Sequence, residues 1–330
     1  MSSASHRLHR VLSFTVTACM FVTTAYAAQP SYPQPQKPIR LLVGFTPGGA
    51  ADSSARATAR KMSELMKTTF VIENRPGAGG NVAAEIVAHG TPDGHTLFWG
   101  SVGPLSVSAA LGVKLPYDVF KDFAPVGLAV TSCNILAAPM SFKGDTVADV
   151  ITQAKARPGQ LNYATQGLGS TGYLAGELLR SMTGIDITQV PYKGGTEVVT
   201  SLIAGEVQLA FVSVTALKGA GQGRMKPIAV TCGKRDPGVP NVPTFAEAGV
   251  PGYEASFWYG LLAPAGTPAA TISILNRYMR DALADKVITQ PLEIQGLIAA
   301  PTSGKEFGDI IRRDYEKWMK TFAGKQPGVR

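Results

Sequence analysis

Six times along this chain a short aliphatic or β-branched run stops at a loop of Gly, Ser, Thr and Pro, and a helical stretch follows. The first round is IRLLVGF, the loop TPGGAAD (46–52) and the helical AADSSARATARKMSELMKT. The second is FVIEN, RPGAGG (75–80) and NVAAEIVAHG; the third is HTLFWG with GSVGP (100–104). Further on, TQGLGSTG (165–172) follows LNYA, YKGG (192–195) follows ITQVP, and SVTAL (213–217) follows LAFV. This alternation predicts parallel sheets covered by helices on both faces, an α/β fold. In such sheets ligands bind beyond the carboxyl ends of the strands, which is where all six loops lie.

Two long extended segments interrupt the alternation, FAPVGLAVTSCNILAAP (123–139) and MKPIAVTCGKRD (225–236). They divide the chain into lobe 1 (38–131 and 233–330) and an inserted lobe 2 (132–232), joined by crossovers near 126–138 and 226–234. A double crossover predicts a hinge with the ligand cleft between the lobes. Thr146 with Asp149 and Ser303 with Glu306 form S/T-x-x-D/E capping boxes that fix the starts of two helices.

The N-terminus carries a basic stretch, the apolar VLSFTVTACMFVTTAYA and, at its end, the small-x-small triplet Ala25-Tyr26-Ala27. It reads as a secretory signal peptide (1–27) cut after Ala27, followed by a Pro/Gln-rich extension (28–37). Lipoprotein processing at Cys19 is the rival reading. Removal of residues 1–27 takes away Arg7 and Arg10 and lowers the formal charge from +8 to +6. The basic residues that remain are scattered, with no block and no aromatic ladder, which argues against nucleic acid as a partner and for weak attraction of small anions. Beyond residue 27 the chain has two cysteines, Cys133 and Cys232, and two histidines, His89 and His95. That set is too poor for zinc, Ser-His or Cys-His chemistry, and neither a metal nor another cofactor is expected. Each cysteine sits on one crossover, so a hinge disulfide and a pair of free thiols are the two outcomes.

The loops are rich in glycine and hydroxyls and poor in acids and bases. Glycines expose backbone N–H groups, and helix N-termini add partial positive charge, so the chemistry offered is donation to an anion. A nucleotide phosphate fits poorly. PGGAAD lacks the dinucleotide fingerprint, and GLGSTG (167–172) matches its bare string without a ribose-binding acid at the usual distance. No G-x-S-x-G elbow is present, so Ser170 is expected as a helix cap or ligand donor rather than a nucleophile. Asp52 opposes an anion site. It is expected to complement the helix dipole and bind backbone N–H groups, or to reach a ligand only through water or a donor group.

The segments PIRLLVGFTPGGAADSSAR, VIENRPGAGGNVAAEIVAHGTPDGHTL, FAPVGL, GSTGYLAGEL, VPYKGG, IAVT, VPTFAEAGVPGYE and LLAPAGTP…ILN occur in that order. Together they resemble the Bug family, the periplasmic solute-binding receptors of tripartite tricarboxylate transporters, over nearly all of the chain after the leader. The resemblance implies a type II periplasmic-binding-protein fold. It also implies a small carboxylate held between two lobes and delivered to membrane permease subunits by a receptor that acts as a monomer and is not an enzyme. By position it implies ligand contacts from Phe45, Thr46, Pro47, Gly48, Gly49 and Asp52 in one lobe and from Gly167, Gly169, Ser170 and Thr171 in the other. Ser101, Tyr192, Lys193 and Ser213 lie on neighbouring loops. An exported sensor for a membrane kinase and an exported α/β hydrolase are the alternatives.

Three positions depart from the family's pattern. Members often carry His where this chain has Tyr173, and Asp where it has Gln208. Near Ser213 and Thr215 they often carry an acid or amide, where this chain has small hydroxyls. The last departure bears on the distal end of the ligand.

Overall fold

The structure is a computed structural model and describes residues 32–45, 47–167, 170–192 and 194–323. The leader reading (1–27) and the expected site residues Thr46, Gly169 and Lys193 lie outside the described residues.

The chain opens with β1 (Ile39–Val43), α1 (Ala50–Met66), β2 (Phe70–Asn74), α2 (Asn81–Ala88) and β3 (Thr96–Ser101). A π-helical turn at Gly103–Val107 then leads to the short α3 (Ser108–Ala110). After β4 (Phe123–Ser132) and β5 (Asn134–Pro139) come α4 (Val147–Ala156), β6 (Leu161–Thr165), α5 (Thr171–Thr183) and β7 (Ile187–Pro191). Next are α6 (Gly195–Ala204), β8 (Leu209–Ser213), α7 (Val214–Lys218) and β9 (Met225–Val230). The last part is β10 (Phe257–Pro264), α8 (Ala269–Ala284), α9 (Lys286–Ile294), β11 (Leu297–Ala299) and α10 (Gly304–Phe322).

Two sheets form, in the orders β11-β4-β10-β3-β1-β2 and β7-β6-β8-β5-β9. Setting β11 aside, each sheet has the same plan: three parallel strands, one antiparallel strand, and then one more. The expected all-parallel sheets are therefore mixed. The reversed strands, β10 and β5, directly follow the two crossings between sheets, where no crossover helix turns the chain back into parallel register. Both faces of the central strands are covered, so β1 buries Ile39, Leu41, Leu42 and Val43 and β5 is buried along its whole length.

Both expected capping boxes are present, Thr146 with Asp149 at α4 and Ser303 with Glu306 at α10. In α10, Phe307, Ile311, Trp318 and Phe322 make one buried stripe at helical spacing. Phe322 stacks on Tyr173 of α5, with ring centroids 6.1 Å apart and planes 5° from parallel. A single run of buried side chains thus passes from Leu42 and Phe98 in the first sheet through Phe307 and Trp318 to Tyr173 of α5 and Phe211 in the second sheet.

The chain leaves the first sheet at Ser132 and enters the second at Asn134; it returns between Val230 and Phe257. Cys133 and Cys232 form a disulfide across these two passages, with Cα atoms 5.5 Å apart. Beside it the Asn134 amide donates to Thr231 Oγ1 (2.9 Å) and the Thr231 amide donates to Asn134 O (2.8 Å). Among the described residues no helix is long and apolar enough to cross a membrane.

Candidate ligand site

Three helices begin where strands of the second sheet end. The turn after β6 needs Gly167 at φ 90°, a conformation open to glycine, and its amide donates to Thr165 Oγ1 (3.1 Å). Ser170 closes the turn and caps α5, donating to Gly167 O (2.7 Å) and accepting from the Tyr173 amide (3.3 Å). Ser213 caps α7 by accepting from the Ala216 amide (3.2 Å), and its hydroxyl meets Thr215 Oγ1 at 3.0 Å. At α6 the cap is Gly194, with no side chain to cover the first N–H groups. Tyr192 ties the β7 end to β6 through its amide, which donates to Thr165 O (2.8 Å).

These ends surround a cavity of about 580 Å³. Its polar wall includes Asn134, Thr165, Gln166, Thr171, Ser213 and Thr215, and Val198, Val199, Phe211 and Val212 form an apolar part. Among the described residues no Asp, Glu, His, Lys or Arg lines it. The electrostatics are those of hydroxyls, amides and helix N-termini, which favour an anion without a counter-charge.

Of the expected site residues, Thr171 and Ser213 face this cavity. Gly167, Ser170 and Tyr192 are not in its wall; they hold the turn, cap and strand tie already given, next to the lining residues Gln166 and Thr171. Phe45, Pro47, Gly48, Gly49, Asp52 and Ser101 belong to the strand ends of the first sheet, and none of them lines it. Asn134, Thr165, Gln166 and Thr196 line it and were not anticipated. Thr165 and Gln166 fall inside the quoted loop TQGLGSTG and could have been read from it, whereas Asn134 stands on a crossover that only the fold brings to the loops.

The first-sheet loops pack on one another. A Cβ on Gly44 would sit 2.6 Å from Gly80 Cα, so the glycine after β1 serves close approach to the RPGAGG loop. Gly48 turns the chain at φ 87°, and its amide donates to Asp52 Oδ2 (3.0 Å). Asp52 is buried. Both its oxygens accept from Arg56 Nε (2.9 Å), and Oδ1 also accepts from Asn74 Nδ2 (2.9 Å). Burial pushes this carboxyl up, but the Arg56, Gly48 and Asn74 hydrogen bonds and the Arg56 charge outweigh it and hold the carboxyl below its usual range. Asp52 therefore braces the loop. Phe45 is half-buried at the edge of the first-sheet core, and its carbonyl accepts from Asn74 Nδ2 (3.0 Å). Ser101 is buried, and its hydroxyl has no hydrogen-bond partner among the described residues.

Two of the three departures from the family pattern fall away from the cavity. Tyr173 is stacked on Phe322, and burial, with the nearby Glu177 carboxylate, raises its hydroxyl to about 12. Gln208 Oε1 accepts from the Asn162 amide (3.0 Å) at the start of β6. Only Ser213 and Thr215 lie on the wall.

Residues 54–323 match the family described as "Tripartite tricarboxylate transporter family receptor". The chain belongs to this family, within its Bug branch. It is 34% identical to BugT of Bordetella pertussis over 91% of this chain and 93% of that protein. Among solved structures, it is 37% identical to an R. palustris protein solved with adipate (TM-score 0.75; 88% of this chain and 98% of that one). It is 31% identical to MatC from Rhodopseudomonas palustris with bound malate (TM-score 0.73; 87% and 99%). This Bug receptor shares their fold.

Proposed function

We propose that the protein is a periplasmic receptor that captures a small carboxylate between two lobes and delivers it to the permease subunits of a tripartite tricarboxylate-type transporter. The observation that carries the reading is the cavity walled by hydroxyls, amides and three helix N-termini, with no charged side chain among its described residues. The relatives solved with adipate and malate support a carboxylate as the ligand. The disulfide supports an oxidising compartment, in keeping with the leader reading.

Affinity is attainable without an arginine clamp. Micromolar binding corresponds to about 8 kcal/mol. Hydrogen bonds to a charged group contribute roughly 1.5–3 kcal/mol each, so four or five of them reach that range after ordering costs. Lobe 1 (38–131 and 233–330) would close its loop at Phe45–Gly49, with Ser101, whose hydroxyl meets no partner among the described residues, over lobe 2 (132–232). Capture without chemistry fits the positions of the histidines. His89 Nε2 meets Pro116 O (3.2 Å), and His95 is buried beneath Tyr32 and Gln34, both away from the cavity.

A thermal-shift panel of mono-, di- and tricarboxylates and aromatic acids tests the reading, because a ligand of the folded state raises the melting temperature by mass action. At least one carboxylate should raise it in a dose-dependent manner; silence across the panel would refute the receptor. Gly49→Val should abolish that shift while the unliganded melting temperature holds, and undiminished affinity would remove the first-lobe loop from the site.

A further inference from the structure

Asn134 occupies a position that joins the cavity to the passages between sheets. Its side chain lines the cavity, and Nδ2 donates to Thr171 Oγ1 (2.9 Å) at the start of α5. It pairs across β5 and β8 with Ser213, another cavity residue. Its backbone is held from the other side by both hydrogen bonds to Thr231, and Thr231 O accepts from the Ala255 amide (2.8 Å) on the return to the first sheet. The neighbouring Cys133 is locked to Cys232. Asn134 is 7% exposed, and among the described residues its Oδ1 and its second amide hydrogen meet no partner. The open part of this carboxamide is reachable from the cavity rather than sealed in the core, so it can serve a ligand as both donor and acceptor while Thr171 holds its orientation.

We infer that Asn134 contacts the bound carboxylate directly and passes the occupancy of the cavity to the crossover through its paired hydrogen bonds with Thr231. This rests on the carboxylate-receptor reading above. A residue fixed at the passage between sheets moves least when the lobes close. The ligand can therefore meet Asn134 before closure, and its contact stiffens the Thr231 pair at the point about which closure turns.

The test is Asn134→Asp, which keeps the shape, replaces the Nδ2 donor with an oxygen to which the Thr171 hydroxyl can donate, and puts a negative charge against an anion. No Asp, Glu, His, Lys or Arg lines the cavity among the described residues, so the new carboxyl and the ligand's own are the groups that titrate in the comparison. With the best-binding carboxylate of the panel, titration calorimetry at pH 7.5 should show affinity lower by about 100-fold. The ratio of native to variant affinity, taken at each pH so that protonation of the ligand cancels, should shrink as pH falls and the new carboxyl protonates. Asn134→Ala, which keeps the backbone pair, should lose about tenfold with no recovery in acid. Saturating ligand should slow hydrogen exchange at the Thr231 amide in the native protein. Affinity within threefold of native in both variants would overturn the contact. So would a pH-independent loss in Asn134→Asp matched by a fall in melting temperature, which is the signature of a purely structural role. Unchanged Thr231 exchange on saturation would overturn the link to the crossover. If no carboxylate shifts the native protein, the receptor reading itself fails; if one does and the variants bind it as well as native, only this inference fails.

Discussion

At the scale of single residues, charge in this protein builds loops. Asp52 sits in the first turn of α1, yet its oxygens are engaged by Gly48, Arg56 and Asn74. Asp52→Ala leaves the Gly48 amide and the Asn74 side chain without their acceptor and should lower unfolding free energy by about 2–3 kcal/mol at neutral pH, measured by urea denaturation. Glu73 is the matching case on β2. Arg40 Nε and Nη2 reach it at 2.6 and 3.0 Å, and Arg75 Nη2 at 2.9 Å. The Arg40 hydrogen bonds and, after the opposing effect of burial, the Arg75 hydrogen bond and the two charges lower its carboxyl from 4.5 to about 2. A carboxyl held below its unfolded value stabilises the fold above that value and loses its contribution as pH falls through the folded one. Glu73→Gln should therefore be less stable than native at pH 6, and the gap should close as pH falls from about 4.5 towards 2. A gap that persists in acid would contradict this.

At the scale of elements, the capping boxes and α10 make separate contributions. Thr146→Ala and Ser303→Ala each remove a side chain that accepts from the third backbone amide of its helix. Each should cost about 1 kcal/mol, and the two should add, since they start helices on different sheets. Phe322, near the end of α10, is different in kind because it stacks on Tyr173 of α5, the helix that follows β6. Phe322→Ala should cost about 3–4 kcal/mol by opening a cavity between α10 and α5. The capping boxes were legible because both partners of each lie within four residues. The Phe322–Tyr173 stack was not, because its partners are well over a hundred positions apart and nothing local marks them as neighbours.

For the whole molecule, the disulfide closes a separation of 99 residues. By loop-closure entropy, replacing Cys133 and Cys232 together with Ser should cost about 4–5 kcal/mol, read as a lower midpoint in denaturant. Intact mass under alkylation, with and without reductant, gives an independent check: two free thiols before reduction would contradict the bond. The same crossing of the two passages explains why the wall of the candidate site was partly hidden. Loop residues such as Thr171 and Ser213 were visible as donors at helix starts, but Asn134 reaches the cavity only because β5 pairs with β8 after the chain has changed sheets.

What the sequence determined by itself is local and periodic: the strand-loop-helix alternation, the glycine and hydroxyl loops opening helices, the two extended passages and the helix caps. Hydrophobic period and turn chemistry act over a few residues, so a linear reading captures them. Only the tertiary structure decided that the sheets are mixed, that α10 bridges them, and that the cavity stands against the second sheet. It also decided that Gly44 meets Gly80, whereas the helix after it offers Asp52 to its own loop. Each of these depends on groups far apart in the chain that meet only when buried surface and backbone hydrogen bonds are satisfied together.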